Sequence, residues 1–123
     1  MSSPGRWRRG WVGSFRCAFR GVGDLIASQR HARVHLLASV LVVVLGGVVG
    51  LDRWSWVAVV LAMGLVWMAE ALNTAVEVLA DVVTLEEHPG IRRAKDLAAG
   101  GVLLASVAAG VVGVVVFGGV LLF

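Results

Sequence analysis

Three long apolar runs dominate the chain, and short polar segments separate them. The runs cover about residues 34–51, 54–82 and 97–123. The hydrocarbon core of a membrane is about 30 Å thick, and a helix needs about 20 apolar residues to cross it. Helices satisfy their own backbone hydrogen bonds in lipid, so runs of this length predict three transmembrane helices.

A fourth helix is predicted ahead of the first run. Between Trp7 and Ile26 apolar residues recur every three or four positions, while Arg16 and Arg20 fall away from that stripe. This pattern is typical of an amphipathic helix on a membrane surface, with aromatic rings in the interface and arginines toward lipid phosphates. We predict a surface helix over about residues 7–30. It is either a plain anchor or a contributor to an active site.

The composition agrees with a membrane protein. The chain is 59% hydrophobic and 15% charged, and its mean hydropathy is +0.88. Soluble domains are about 45–50% apolar and about 25% charged. The predicted fold class is therefore an all-α membrane protein, with three transmembrane helices and an amino-terminal amphipathic surface helix in one domain over residues 1–123.

The basic residues are unevenly distributed along the chain. Ten of the 11 precede the first run or lie between the second and third, and only Arg53 lies elsewhere. The positive-inside rule places such segments in the cytoplasm. The amino end and the 84–95 loop are thus expected inside, and the Asp52–Arg53 turn outside. Because the basic residues flank membrane spans, they do not indicate a nucleic-acid partner.

The second run ends in polar residues at helical spacing. Steps of three, four and seven residues stay on one face of a helix. Carboxylates near the end of a span are costly unless they are paired, bind a metal or face a wet cavity, so they are functional candidates. With Lys95 and Asp96 nearby, this polar stripe predicts a cation site. Its members are Glu70, Asn73, Thr74, Glu77 and Asp81.

Each residue also has a plain structural interpretation. Glu70 could pair across a helix interface, and Glu77 could form a bridge with Lys95. Asp81 could be a solvated or capping residue, and His88 an ordinary loop residue. The polar segment SQRHARVH, residues 28–35, is predicted to be a hinge before the first span. Its side chains either extend to the interface or meet a phosphate or metal at the inner surface.

The polar spacing resembles that of the prokaryotic diacylglycerol kinase family, which includes undecaprenol kinases. The pattern E-x-x-N-[ST]-A-x-E-x-x-x-D is followed by a histidine and by A-K-D, and the similarity covers about residues 15–109. The matching residues are Glu70, Asn73, Thr74, Ala75, Glu77, Asp81, His88, Ala94, Lys95 and Asp96.

This resemblance implies a fold, a reaction and a location. Family members are homotrimeric enzymes with three spans and a surface helix. They transfer the γ-phosphate of ATP to a lipid alcohol. The expected location is the bacterial inner membrane, with the active site on the cytoplasmic side.

The resemblance also implies roles for individual residues. Glu70 would be the catalytic base that takes the proton of the lipid hydroxyl, and Asn73 would orient the reacting groups. Glu77 would hold Mg²⁺. The residues implied for ATP binding are Gln29, Glu77, Glu86, Glu87, His88, Lys95 and Asp96.

One position departs from the family pattern. The second carboxylate that holds the metal in the family falls at Gln29. An amide oxygen can bind Mg²⁺ but brings no charge. Either the metal affinity is lower or another group compensates. The hinge sequence resembles the undecaprenol type more than the diacylglycerol type, which favours undecaprenol slightly.

Two other functions are considered beside the lipid kinase. One is a small non-enzymatic oligomeric channel or a proton-coupled transporter, with Glu70 as its membrane carboxylate. The other is a structural oligomer without chemistry. A pore would need polar groups through the whole bilayer, whereas here they cluster at one end of the spans. The sequence therefore favours the kinase.

Overall fold

The computed structural model describes residues 10–123, which form four α-helices. These are α1 (Trp11–Ser28), α2 (Arg30–Val49), α3 (Arg53–Val83) and α4 (Pro89–Leu122). The prediction of an all-α protein is confirmed. The predicted start of the surface helix at Trp7 lies outside the described residues.

Helices α2, α3 and α4 are each long and apolar enough to cross a membrane. Helix α3 has 31 residues and α4 has 34. At 1.5 Å per residue they are about 46 and 51 Å long, which exceeds a hydrocarbon core of about 30 Å. Large apolar side chains such as Leu41, Leu61 and Leu104 face outward, as lipid contact requires. The chain is thus a multi-pass membrane protein.

The α3–α4 pair makes most of the contacts between helices. Ala80 of α3 and Ala105 of α4 are buried, and small residues of this kind let two backbones approach closely in lipid. Helices α1 and α2 pack more lightly, with Leu25 and Ala32 buried. The segment that joins α3 to α4 is short, so polar residues on both sides of it lie at one end of the bundle.

The break between α1 and α2 is confined to one residue. Gln29 has an extended backbone, with φ −112° and ψ 121°. Its N–H donates to the carbonyl of Leu25, and its carbonyl accepts from the N–H of Arg33. The polar hinge is thus shorter than the predicted residues 28–35, because residues 30–35 contain no breaker and continue as the first turns of α2.

Helix α4 begins at Pro89, eight residues before the third apolar run. Proline suits the first turn because its φ is already helical and its missing N–H needs no partner there. His88 caps the helix, since its Nδ1 accepts the N–H of Gly90 at 3.0 Å. Lys95 and the residue after it therefore lie in the second turn of α4.

Two glycines shape the turn between α2 and α3. Gly50 has φ +71°, a left-handed conformation that favours glycine. The N–H groups of Gly50 and Leu51 both donate to the carbonyl of Gly46. The ring of Trp56 lies against Gly46, and a Cβ atom added there would be 2.8 Å from Trp56 Cη2. Gly46 thus permits the close approach of α2 and α3.

We predict that Gly46→Ala lowers the free energy of unfolding by about 1–3 kcal/mol, because the new methyl group overlaps Trp56. Gly47→Ala is the matched control, since a Cβ atom at Gly47 meets nothing within 4 Å. Gly47→Ala brings the same gain in helix propensity as Gly46→Ala, about 0.5–1 kcal/mol. The check is the unfolding of both variants in detergent micelles. Equal stability of the two variants would contradict the packing described for Gly46.

Candidate functional site

The polar stripe of α3 meets different neighbours along its length. Glu70 contacts α2, and Asn73 lines a groove between α3 and α4. Thr74 lines the groove between α1 and α3. Glu77 is exposed, and Asp81 contacts α4. The five side chains spread over about 100° of the helix surface, which explains why they do not share one neighbour.

The Glu70 carboxylate is buried against a histidine of α2. Glu70 Oε1 lies 3.0 Å from His35 Nε2, and their side chains are 9% and 27% exposed. A carboxylate inside an apolar helix bundle requires such a partner, because removing it from water is unfavourable without compensation. The structure thus bears out pairing of Glu70 across a helix interface, and it identifies the partner as His35.

A tryptophan fixes the position of the His35 ring. The rings of His35 and Trp67 meet edge to face, with centroids 6.5 Å apart and an interplanar angle of 64°. Trp67 Nε1 donates a hydrogen bond to Ser39 Oγ at 3.0 Å. Ser39 lies one helical turn after His35, and Trp67 lies nearly one turn before Glu70. The face of α2 that carries His35 therefore also carries Ser39, and the face of α3 that carries Glu70 also carries Trp67.

A cavity of about 320 Å³ opens beside this pair, between α2, α3 and α4. Most of its walls are alanine, valine and glycine, and its polar groups come from His35, Ser39, Trp67 and Ser106. His35, the partner of Glu70, therefore borders apolar space inside the bundle, whereas Glu70 itself does not line the cavity. This is a setting in which a lipid hydroxyl can reach a protein side chain.

A second, charged cleft of about 240 Å³ lies where α4 begins. Lys95 Nζ lies 3.2 Å from Asp81 Oδ1, and Arg92 Nη2 lies 3.3 Å from Glu87 Oε1. All four side chains are at least 40% exposed, so these ion pairs are weak and can exchange for a ligand. The charged and titratable lining residues are Asp81, Glu86, Glu87, His88, Arg92, Lys95 and Asp96.

The amino end of α4 adds positive electrostatic potential to this cleft. The first N–H groups of a helix lack helical partners, and the helix dipole is positive at that end. The N–H of Gly90 already donates to His88 Nδ1, and the N–H of Glu86 donates to Thr84 Oγ1 at 3.0 Å. The dipole, Lys95 and Arg92 together suit the start of α4 to an anion such as a phosphate.

The predicted site residues thus form separate groups in one chain. Glu86, Glu87, His88, Lys95 and Asp96 line the charged cleft. Gln29, Glu70, Asn73 and Glu77 do not line it. Asp81 follows Glu70 by 11 positions on α3, which corresponds to about 16 Å of helix. Glu77 lies between these two levels, and Gln29 is half-buried at the break between α1 and α2.

Lys95 pairs with Asp81, so the structure does not show the alternative bridge to Glu77. Over residues 10–123, no group of three or more histidine, cysteine, aspartate and glutamate side chains is arranged to hold a metal ion. The Oδ1 atom of Asn73 is buried without a hydrogen-bond partner. Buried polar atoms nearly always have a partner, so Asn73 is suited to receive one from a bound molecule.

Sequence reasoning missed the partnership of His35 with Glu70. His35 was grouped with the polar residues of the hinge, yet it lies just inside the first apolar run. No other titratable residue follows it before Asp52. A single histidine in that position is the signal that could have identified a partner for the carboxylate of the second run.

Comparisons with known proteins agree over most of the chain. The family model described as prokaryotic diacylglycerol kinase matches residues 16–117. The undecaprenol kinase of Bacillus subtilis is 34% identical over 104 residues, which is 85% of each chain. The diacylglycerol kinase of Synechocystis sp. is 38% identical over 101 residues, which is 81% of this chain and 58% of that protein.

Proposed function

Because the chain belongs to the prokaryotic diacylglycerol kinase family and is a lipid kinase, we propose that it phosphorylates a membrane lipid alcohol with the γ-phosphate of ATP. The family assignment decides against the channel, transporter and purely structural alternatives. The observation that carries the detailed proposal is the buried position of Glu70, about 16 Å along α3 from a charged cleft.

Glu70 is the proposed catalytic base. Its carboxylate is buried against His35, which lines the apolar cavity, so a lipid hydroxyl would approach the pair without leaving the membrane. Phosphoryl transfer depends mainly on alignment and on neutralising charge, and a positioned carboxylate accepts the proton of the attacking hydroxyl. The unpaired Asn73 oxygen, one turn along α3, supports the proposal that Asn73 orients the reacting groups.

The charged cleft is the proposed site of the nucleotide. Lys95 and the start of α4 would attract the phosphates, and Glu86, Glu87, His88 and Asp96 would contact the rest of ATP. From this cleft the phosphates would extend along α3 past Glu77 toward Glu70. This direction follows from the order of the residues on the helix, with Glu77 between the cleft and the base.

Magnesium is the proposed cofactor, with Glu77 as its main protein ligand. The Glu77 carboxylate is exposed and forms no ion pair among the described residues. Mg²⁺ usually takes one or two carboxylates together with phosphate oxygens and waters, so a single free carboxylate fits it. The Gln29 amide oxygen is the proposed second ligand. When bound, the metal would neutralise charge on the phosphates.

We also propose a homotrimer in the bacterial inner membrane, with α1 on the membrane surface and the charged cleft in the cytoplasm. The distribution of basic residues supports this orientation. Exposed aromatic residues on α1, among them Trp11, Phe15 and Phe19, support contact with the lipid interface. The open grooves along α3 support burial against neighbouring subunits.

Undecaprenol is the favoured substrate. The alignment with the undecaprenol kinase of Bacillus subtilis covers 85% of each chain, whereas the alignment with the Synechocystis diacylglycerol kinase covers 58% of that protein. The test offers undecaprenol and diacylglycerol separately, with labelled ATP, to purified protein in micelles. Faster labelling of undecaprenol is expected. Faster labelling of diacylglycerol would reverse the substrate assignment, and label in neither lipid would contradict the kinase.

We predict that Glu70→Gln lowers turnover by about 10²–10⁴-fold, because the amide cannot accept the proton. ATP binding should change little, since the cleft lies about 16 Å along the helix. The control is Asp52→Asn, a matched loss of charge at the opposite end of α3. It should keep its activity. Glu70→Gln activity within about tenfold of the unaltered protein would contradict the assignment of the base.

We predict that Gln29→Glu lowers the Mg²⁺ concentration needed for half-maximal activity, because a carboxylate binds this cation more tightly than an amide oxygen. Gln29→Met, of similar length but without an oxygen ligand, should raise it. A magnesium titration of the three proteins measures both effects. Three superimposable curves would show that position 29 does not bind the metal.

A further inference from the structure

His35 has no role in the reaction proposed above, yet its ring is hydrogen-bonded to the Glu70 carboxylate. Resting on the proposed role of Glu70 as the base, we propose that His35 is a positioning residue for that base. It donates its Nε2–H to Glu70 Oε1. This bond holds the carboxylate in one orientation and leaves Oε2 to accept the proton of the lipid hydroxyl.

The direction of the hydrogen bond follows from the chemistry of the two groups. An ionised carboxylate only accepts hydrogen bonds, and neutral imidazole carries one donor and one acceptor nitrogen. A contact of 3.0 Å between Oε1 and Nε2 therefore requires a proton on Nε2 when Glu70 is ionised. In the reverse arrangement a protonated Glu70 would donate to Nε2. That carboxyl group would already carry its proton and could not act as a base.

The surroundings hold the imidazole in place for this task. The edge-to-face contact with Trp67 limits rotation of the His35 ring. The Trp67 indole is itself held by its hydrogen bond to Ser39. An ordinary interface residue that extends to lipid headgroups would not need this support. The arrangement is that of a preorganised donor, which acts by reducing reorganisation during the reaction.

The step balances without a further reactant. The hydroxyl oxygen of the lipid bonds to the γ-phosphorus, and the bond from that phosphorus to the bridging oxygen breaks. ADP leaves with the electron pair, and the hydroxyl proton passes to Glu70 Oε2. His35 keeps its own proton throughout, and Glu70 returns its proton to water before the next turnover.

Other titratable groups lie farther from the pair. The Asp81–Lys95 ion pair is about 16 Å away along α3. None of the described ion pairs joins Glu70 to a group other than His35. The charged and titratable residues that the packed helices carry toward this end of the bundle are Asp24 of α1, Arg30, His31 and Arg33 of α2, Glu77 of α3, and Lys95 and Asp96 of α4.

The test compares three variants by kcat and by KM for ATP. His35→Leu removes the donor, His35→Gln retains an N–H at a similar distance, and Ser39→Ala removes only the hydrogen bond to Trp67. We expect His35→Leu to lower kcat by about 10–100-fold, as loss of an orienting partner does at metal centres.

His35→Gln should recover most of kcat. Ser39→Ala should lower kcat less than His35→Leu does, because it loosens only the support of the ring, and KM for ATP should change little in all three variants. A His35→Leu variant whose kcat matches that of the unaltered protein would overturn the proposal. So would a His35→Gln variant as impaired as His35→Leu.

A second readout does not depend on activity. The ¹⁵N chemical shifts of the His35 ring, assigned with the position-35 variants, report which nitrogen is protonated. We expect a protonated Nε2 at neutral pH, and an unprotonated Nε2 would overturn the proposal. Failure of the proposed function is distinct from these outcomes. It would appear as an unaltered protein that labels no lipid or as an active Glu70→Gln variant.

Discussion

A carboxylate removed from water inside an apolar bundle has to be stabilised by a donor, and the Glu70–His35 contact provides that donor. Several other features follow from it. Helices α2 and α3 must pass close enough for the two side chains to meet. The His35 ring must keep one orientation, which Trp67 and its hydrogen bond to Ser39 maintain. The close approach at Gly46 fixes the same pair of helices near the turn that joins them.

The electrostatic environment changes along α3. Near its carboxyl end, Asp81 forms an exposed ion pair with Lys95, which solvent weakens and a phosphate can replace. Glu77 is exposed, and Glu70 is buried against His35. One helix thus passes from a setting suited to a water-soluble donor to one suited to a lipid acceptor. The two substrates of a lipid kinase differ in this same way.

Much of this arrangement could be predicted from the sequence. The apolar runs predicted three spanning helices, and the spacing of Glu70, Glu77 and Asp81 predicted one polar face on the second. Such features depend on local periodicity and on the thickness of the membrane. The predicted trimer, the surface position of α1 and the metal role of Gln29 depend on partners, and they remain proposals.

The pairings between helices could not be predicted from the sequence. Lipid does not drive apolar faces together, so the register of neighbouring helices depends on small residues and close contacts that a sequence pattern does not specify. The position of His35 in the first apolar run marks it as a candidate partner, but the sequence does not specify which residue of α3 it meets. The ion pair of Lys95 with Asp81 also depends on geometry that the sequence pattern does not specify. Helical side chains lean toward the amino end of their helix, which directs Lys95 toward the α3–α4 connection and toward Asp81.

The most direct test of this account is the distance between Glu70 and His35 in a lipid bilayer. Solid-state NMR can measure the dipolar coupling between a ¹³C-labelled glutamate carboxyl and a ¹⁵N-labelled histidine ring, with Glu70→Gln as the control that assigns the signal. The account predicts a strong coupling, as the 3.0 Å separation of Oε1 and Nε2 requires. No coupling beyond that of Glu70→Gln would mean that the carboxylate lacks this partner, and the account would be wrong.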